Sequence, residues 1–202
     1  MELILVRHGE STANAARLAA GHVDVALTEK GCDQAARAGK ALKEIIGDRP
    51  LLDAVSSPLQ RAVDTARYLD LGVEPRIDPR WVEIDYGQWD GKAVADIAPE
   101  LWQAWRDDIE FAPPGGESLA SVGRRVREAC AEIGYDDGSA SPRWRSGVTV
   151  VVSHVSPIKA AVAWALGAGD EATWRMHVDT ATITSVLLVD SGPVLCRFNQ
   201  CF

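Results

Sequence analysis

The sequence is poor in cysteine, lysine and histidine and has no long apolar run. Its four cysteines, Cys32, Cys130, Cys196 and Cys201, are scattered without a C-x-x-C pair. That spacing excludes a zinc ribbon and a disulfide-dense scaffold, leaves a Cys196–Cys201 pair as the one alternative, and favours reduced thiols in the cytoplasm. No stretch approaches the roughly 20 apolar residues of a membrane-spanning helix. The opening MELILV is too short for a secretory signal and lacks its basic flank. The four histidines, His8, His22, His154 and His177, form no H-x-x-x-H pair, so a helical zinc site has no support. The phosphate loop G-x-x-x-x-G-K-[ST], the dinucleotide loop G-x-G-x-x-G and the esterase elbow G-x-S-x-G are all missing.

What is present fits one globular domain spanning residues 1–202, because 47% of the residues are apolar. The net charge of −8 argues against a nucleic-acid partner, which needs a basic footprint. It does not exclude a small anion held by a local cluster of arginines. Of the 21 basic residues, 16 are Arg and 5 are Lys, and the guanidinium fork matches phosphate or carboxylate oxygens.

Strand and helix signals alternate along the chain. Leu3–Val6 is a short continuous apolar run, as expected of a strand covered on both faces, and Leu52–Ser56 and Val148–Ser153 read as further strands, the last the strongest. Helices are predicted over Thr28–Ile46, with Thr28 as N-cap and Gly47 beyond the end, and over Pro58–Leu69, Pro99–Asp108, Ser118–Ile133 and Pro157–Leu166. Residues 134–147 read as a mobile polar surface loop, and Thr180–Val189 with Val194–Phe198 as a terminal hairpin. The alternation predicts a three-layer α/β/α sandwich with a mostly parallel central sheet. Residues 84–116 form a small cap over the sheet edge.

Ligands in such sheets bind beyond the carboxyl ends of the strands. The first strand delivers Arg7 and His8, the second Ser57 and then Arg61, and the third His154. Two guanidinium groups and two imidazoles at one edge suit a phosphoryl group. One imidazole can attack phosphorus while the other donates a hydrogen bond, and a nearby acid must protonate the leaving oxygen.

These residues sit in segments that resemble the histidine phosphatase superfamily, the phosphoglycerate mutase-like enzymes. The segments are LVRHGES at 5–11, Asn14, LTEKG at 27–31 with Gln34 and Ala35, SSPLQRA at 56–62 with Thr65 and Ala66, EIDYGQWDG at 83–91, PGGES at 114–118 and VSH at 152–154. The resemblance runs from residue 3 to about 165, and the motifs occur in the family's order. It implies that His8 is the nucleophile that becomes phosphohistidine. It implies that Arg7, Arg61, His154 and Asn14 surround the phosphoryl group, and that Glu83 protonates the leaving oxygen and then activates water. It implies no metal and no organic cofactor.

Within that family the chain resembles the acid phosphatase and α-ribazole phosphatase-like branch, through HVSPIK at 154–159 and RFNQ at 197–200. The expected activity is hydrolysis of a small-molecule phosphate ester in the cytoplasm, with no membrane partner. The alternatives are a phosphoglycerate mutase or a non-catalytic phospholigand-binding protein. Residues 92–116 hold only Lys92 and Arg106 as basic residues, which speaks against the paired arginines of a mutase. A homodimer through an edge strand is open. One departure is Val155, where many members carry Gly after the second histidine. Trp89, Trp102 and Trp105 either pack the cap onto the sheet, the favoured reading, or line a wall for the leaving group. Arg124, Arg125 and Arg127 read as solvated or salt-bridged.

Overall fold

A computed structural model describes residues 1–134 and 146–202. The polar stretch expected as a loop at 134–147 lies, apart from its ends, outside the described residues. The elements in chain order are β1 (Glu2–Arg7), α1 (Thr12–Ala15), α2 (Glu29–Ile46), β2 (Leu51–Ser56), α3 (Gln60–Tyr68) and β3 (Arg76–Ile77). After them come α4 (Pro99–Asp107), α5 (Leu119–Gly134), β4 (Val148–Ser153), α6 (Val155–Ala165), β5 (Ile183–Val189) and β6 (Gly192–Gln200).

The six strands form one sheet in the order β3-β2-β4-β1-β5-β6. β1 pairs in parallel with β4, β4 with β2, and β2 with β3, while β5 runs antiparallel to both β1 and β6. The central strands are apolar on both faces, so two cores form. Ile4, Val6, Val148, Val150 and Val152 pack against Ala38 and Leu42 of α2 and Ala62 and Ala66 of α3. Leu3, Leu5, Val55 and Val151 face Val122 and Val126 of α5 and Ile158 and Ala161 of α6. This is the expected α/β/α sandwich. Gly39 lets α2 lie directly on α3, because a Cβ there would stand 2.6 Å from the Leu69 carbonyl oxygen.

Two predicted helix starts differ. α3 begins at Gln60 instead of Pro58, because Ser57 still donates its N–H to Val152 O, continuing the sheet, and Leu59 keeps an extended backbone. α6 begins at Val155, directly after His154, two residues before the predicted Pro157. The terminal hairpin is present as β5 and β6. All four cysteines are free, including Cys196 and Cys201. Among the described residues no helix is long and apolar enough to cross a membrane.

The cap holds α4 and two short 3-10 turns, Gly87–Trp89 and Val94–Asp96. Its tryptophans bind it to the body. Trp105 is 2% exposed and sits 5.6 Å from the Trp174 ring, 5.7 Å from Trp102 and from Tyr86, and 5.8 Å from Trp89. The packing role expected of Trp89 and Trp105 therefore holds. Replacing Trp105 with Ala should lower stability by about 3–5 kcal/mol, the usual cost of emptying a buried aromatic site. A urea midpoint that barely moves would show that the cap does not rest on this residue.

Candidate active site

The carboxyl ends of β1, β2 and β4 lie side by side, and a cavity of about 140 Å³ opens beyond them. Arg7, His8, Asn14, Arg61 and Glu83 all line it. His154 lies directly behind His8, with ring centroids 5.0 Å apart and no exposure to solvent. All six residues singled out in the sequence thus converge.

The chain around His8 is tightly specified. Its backbone N–H bonds Ser153 O of β4, and its carbonyl accepts from Ala181 N–H. The Nδ1 atom lies 2.7 Å from the Gly9 carbonyl oxygen. A carbonyl can only accept, so Nδ1 carries the proton and Nε2 keeps its lone pair. Gly9 itself permits a close approach, since a Cβ there would stand 2.3 Å from Gly31 O in the first turn of α2. Thr28, the N-cap of α2, donates its backbone N–H to Glu10 O, and Gln34 accepts from Glu10 N–H. The LTEKG segment with Gln34 is therefore the clamp on the loop that follows β1.

His154 Nε2 lies 2.7 Å from Ser57 Oγ, which also accepts the Leu59 N–H. The His154 Nδ1 atom is buried and has no hydrogen-bond partner in the protein.

Arg61 is 1% exposed, and its guanidinium is fixed by backbone alone. It donates to Ala20 O at 3.0 Å, Gly21 O at 2.7 Å and Val23 O at 3.0 Å. Three of its five N–H donors are used in this way. Residues 20–23 are held in turn by the Asp90 carboxylate, which accepts the N–H groups of Gly21, His22 and Val23 at 2.6–2.8 Å. Arg7 donates to Val178 O at 2.6 Å, while its buried Nε has no partner. Asn14 accepts from Ser11 through Oδ1, which leaves its NH₂ group uncommitted.

Glu83 is buried, and its carboxylate accepts three backbone N–H groups: Ile84 at 2.8 Å, and Val155 and Ser156 at 3.1 Å. It caps α6 from outside the helix, where the dipole favours a negative charge. Val155 therefore gives its N–H to Glu83 and does not point it into the cavity. The Glu83 carbonyl accepts from His22 Nε2 and from Arg125. Arg124, Arg125 and Arg127 pair with Glu110, Glu117 and Asp170 as expected of salt-bridged arginines.

The electrostatics follow from burial. His8 is held well below the usual histidine range by desolvation, then by Arg7 and Arg61. His154 moves the same way through desolvation, then His8 and both arginines. Burial also lowers Arg7 and Arg61 from the ordinary guanidinium value, with Glu83 opposing. Tyr86, at the cavity wall, is raised by desolvation and then by Glu83, so it remains a phenol. The site can thus present a neutral nucleophilic imidazole beside two cations, which suits a dianionic group with one attackable centre.

Sequence reasoning left several contributors without a role. Ser57, Asp90, Arg125 and His22 act through contacts between distant segments that no local pattern reveals. Trp102 does reach the wall of this cavity, so the second role considered for the cap tryptophans is open to it.

Two expectations come from this geometry. Both histidines are kept neutral in the folded state, while the unfolded chain takes up protons near pH 6.5. The stability they contribute is present above that pH and is lost as pH falls through it. The urea midpoint should drop between pH 7 and pH 5, and by less in His154→Gln; equal losses in the two proteins would contradict this. Asp90→Ala removes the acceptor of three N–H groups and should cost about 1–3 kcal/mol while raising KM for a phosphate ester through a looser Arg61. An unchanged KM would separate Asp90 from the phosphate cradle.

Comparison with known proteins agrees with the geometry. A family model described as the histidine phosphatase superfamily (branch 1) matches residues 3–200. A bifunctional protein of Mycobacterium tuberculosis is 40% identical over 192 residues, covering 90% of this chain and 49% of that protein. The chain thus spans about half the length of such curated relatives. A mycobacterial glucosyl-3-phosphoglycerate phosphatase solved with VO3 is 33% identical, with a TM-score of 0.83 over 98% of both chains. The α-ribazole phosphatase of Shigella flexneri is 27% identical, with a TM-score of 0.82 over 99% of this chain and 96% of that one.

Proposed function

Because the chain belongs to the histidine phosphatase superfamily, we propose that it is a phosphomonoesterase working through a phosphohistidine on His8. The observation that carries this reading is the His8 tautomer: Nδ1–H is tied to Gly9 O, which leaves Nε2 as a lone pair beside two buried guanidinium groups.

Arg7, Arg61 and the Asn14 NH₂ group hold the phosphoryl oxygens, with His154 behind His8 as a further donor. These donors are fixed before substrate arrives, which is where electrostatic catalysis gains most. The His8 Nε2 lone pair forms the N–P bond while the bond from phosphorus to the ester oxygen breaks. The electron pair of that bond goes to the leaving oxygen, which takes its proton from protonated Glu83. Glu83, now a carboxylate, removes a proton from water as its oxygen attacks the phosphohistidine. The N–P bond breaks, inorganic phosphate leaves, and neutral His8 and protonated Glu83 are restored. None of these steps calls for a metal or an organic cofactor.

The depressed His8 keeps the nucleophile neutral in mildly acidic solution, which supports acid phosphatase activity. Four free cysteines support a cytoplasmic setting. The mutase alternative is disfavoured because Arg106 stands 5.8 Å over the Trp174 ring, away from the residues that line the catalytic cavity.

His8→Ala should lower kcat on p-nitrophenyl phosphate by at least about 1000-fold with the fold intact, and vanadate should inhibit the parent protein competitively. Rapid quenching should trap an acid-labile phosphoprotein in the parent but not in the variant. Full activity in His8→Ala would overturn the covalent mechanism. Phosphoryl transfer from 2,3-bisphosphoglycerate to a monophosphoglycerate without net phosphate release would favour the mutase.

A further inference from the structure

Beside the catalytic cavity lies a second one of about 90 Å³ that the mechanism above does not use. The two share Tyr86, Trp102 and Val155 as walls. Trp105, Trp174 and Thr173 close the far side, and Lys159 enters from α6. Lys159 follows Val155 by one helical turn, so both side chains leave the same face of α6. Among the described residues Lys159 makes no hydrogen bond and no ion pair, although it is only partly exposed. Burial lowers it from the ordinary lysine value, with Glu83 opposing and Arg7 adding to the fall. The Glu83 carboxylate, which accepts three backbone N–H groups, acts on it only across space and makes no hydrogen bond or ion pair to it among the described residues. The buried indole nitrogens of Trp105 and Trp174 also find no acceptor in the protein. The lining thus offers one ammonium and no carboxylate to balance it.

We propose that this cavity is a carboxylate subsite, in which Lys159 binds a carboxylate carried by the leaving alcohol of the phosphate ester. The inference rests on the phosphatase reading of the adjoining cavity and names the substrate class it takes. Size supports a carboxylate, since a volume of about 90 Å³ admits a compact group but not a second ring system beside the tryptophans. A half-buried cation without a partner supplies the attraction, and the apolar walls keep water from screening it. The two cavities adjoin at Tyr86, Trp102 and Val155, and the proposal requires one short chain to span them.

The test compares 3-phosphoglycerate with glycerol 3-phosphate, which have the same three-carbon chain and differ in the carboxylate. The parent protein should prefer the first by about 10- to 100-fold in kcat/KM, the range of one charge-assisted hydrogen bond. Lys159→Met should collapse that ratio to within about threefold, mainly through KM, and Lys159→Arg should restore most of it. A parent ratio near one, or a ratio unmoved by Lys159→Met, overturns the subsite while hydrolysis of both esters leaves the phosphatase reading standing. Calorimetric affinities of the two esters for His8→Ala separate the two ideas further. Preferential binding of 3-phosphoglycerate that disappears in His8→Ala/Lys159→Met supports the subsite, even if the parent hydrolyses neither ester and the phosphatase reading falls.

Discussion

A guanidinium buried at the end of a sheet and satisfied by carbonyl oxygens alone is the constraint from which much of this molecule follows. Arg61 has a single percent of its surface exposed. A carboxylate in direct contact would neutralise it and remove its use toward an anion. Leaving it without acceptors would cost several kcal/mol. The chain solves this with residues 20–23, whose carbonyls converge on the guanidinium. A segment bent so that its carbonyls point one way exposes its N–H groups on the other, and Asp90 takes them. The close fit also dictates Gly21, where a Cβ would stand 2.4 Å from the Ile84 carbonyl oxygen. One buried charge thus fixes a loop, a carboxylate and a glycine.

The fold was legible because the parallel strands are short, apolar and punctuated. β4 is buried along its whole length, and such a run leaves no second reading once its flanks are polar. The convergence of Arg7, His8, Arg61 and His154 was legible for the same reason, since each stands at or just past the end of an apolar strand. Glu83 and Asn14 were placed only by resemblance to a family pattern, because neither ends a strand. The start of α6 shows where local reading fails. A helix normally announces itself by a capping side chain within its own segment, and His154 supplies no such bond. The cap comes from Glu83, 72 residues before Val155 in the chain, so the first turn carries no local mark and Pro157 looks like the beginning. The roles of Ser57 and Asp90 went unread for the same reason, since His154 and residues 21–23 are near them in space and far in sequence.

The charge of the whole chain and the charge of the site oppose each other. A net −8 repels long polyanions, yet the strand ends gather two guanidinium groups and two imidazoles. Burial first, and then those same cations, lower the proton affinity of both rings. The positive field that would hold a phosphate on the proposed reading therefore adds to burial in keeping His8 unprotonated. Removing either arginine would disturb both tasks at once, so their loss in binding and their loss in turnover are not independent quantities.

The dual tether of the cap has a bearing on how such a protein can change. Residues 83–91 are locked to the phosphate cradle through Glu83 and Asp90, whereas α4 (Pro99–Asp107) is attached through stacked rings. Aromatic packing tolerates volume-conserving apolar exchange, which a set of directed hydrogen bonds does not. Exposed positions of α4 can accept new side chains without touching the residues proposed to break the ester, whereas Trp102 and Trp105 hold the cap in place. On the proposed reading, chemistry and selectivity are written in neighbouring lengths of one segment, and the directed bonds to residues 17–19 end at Val94.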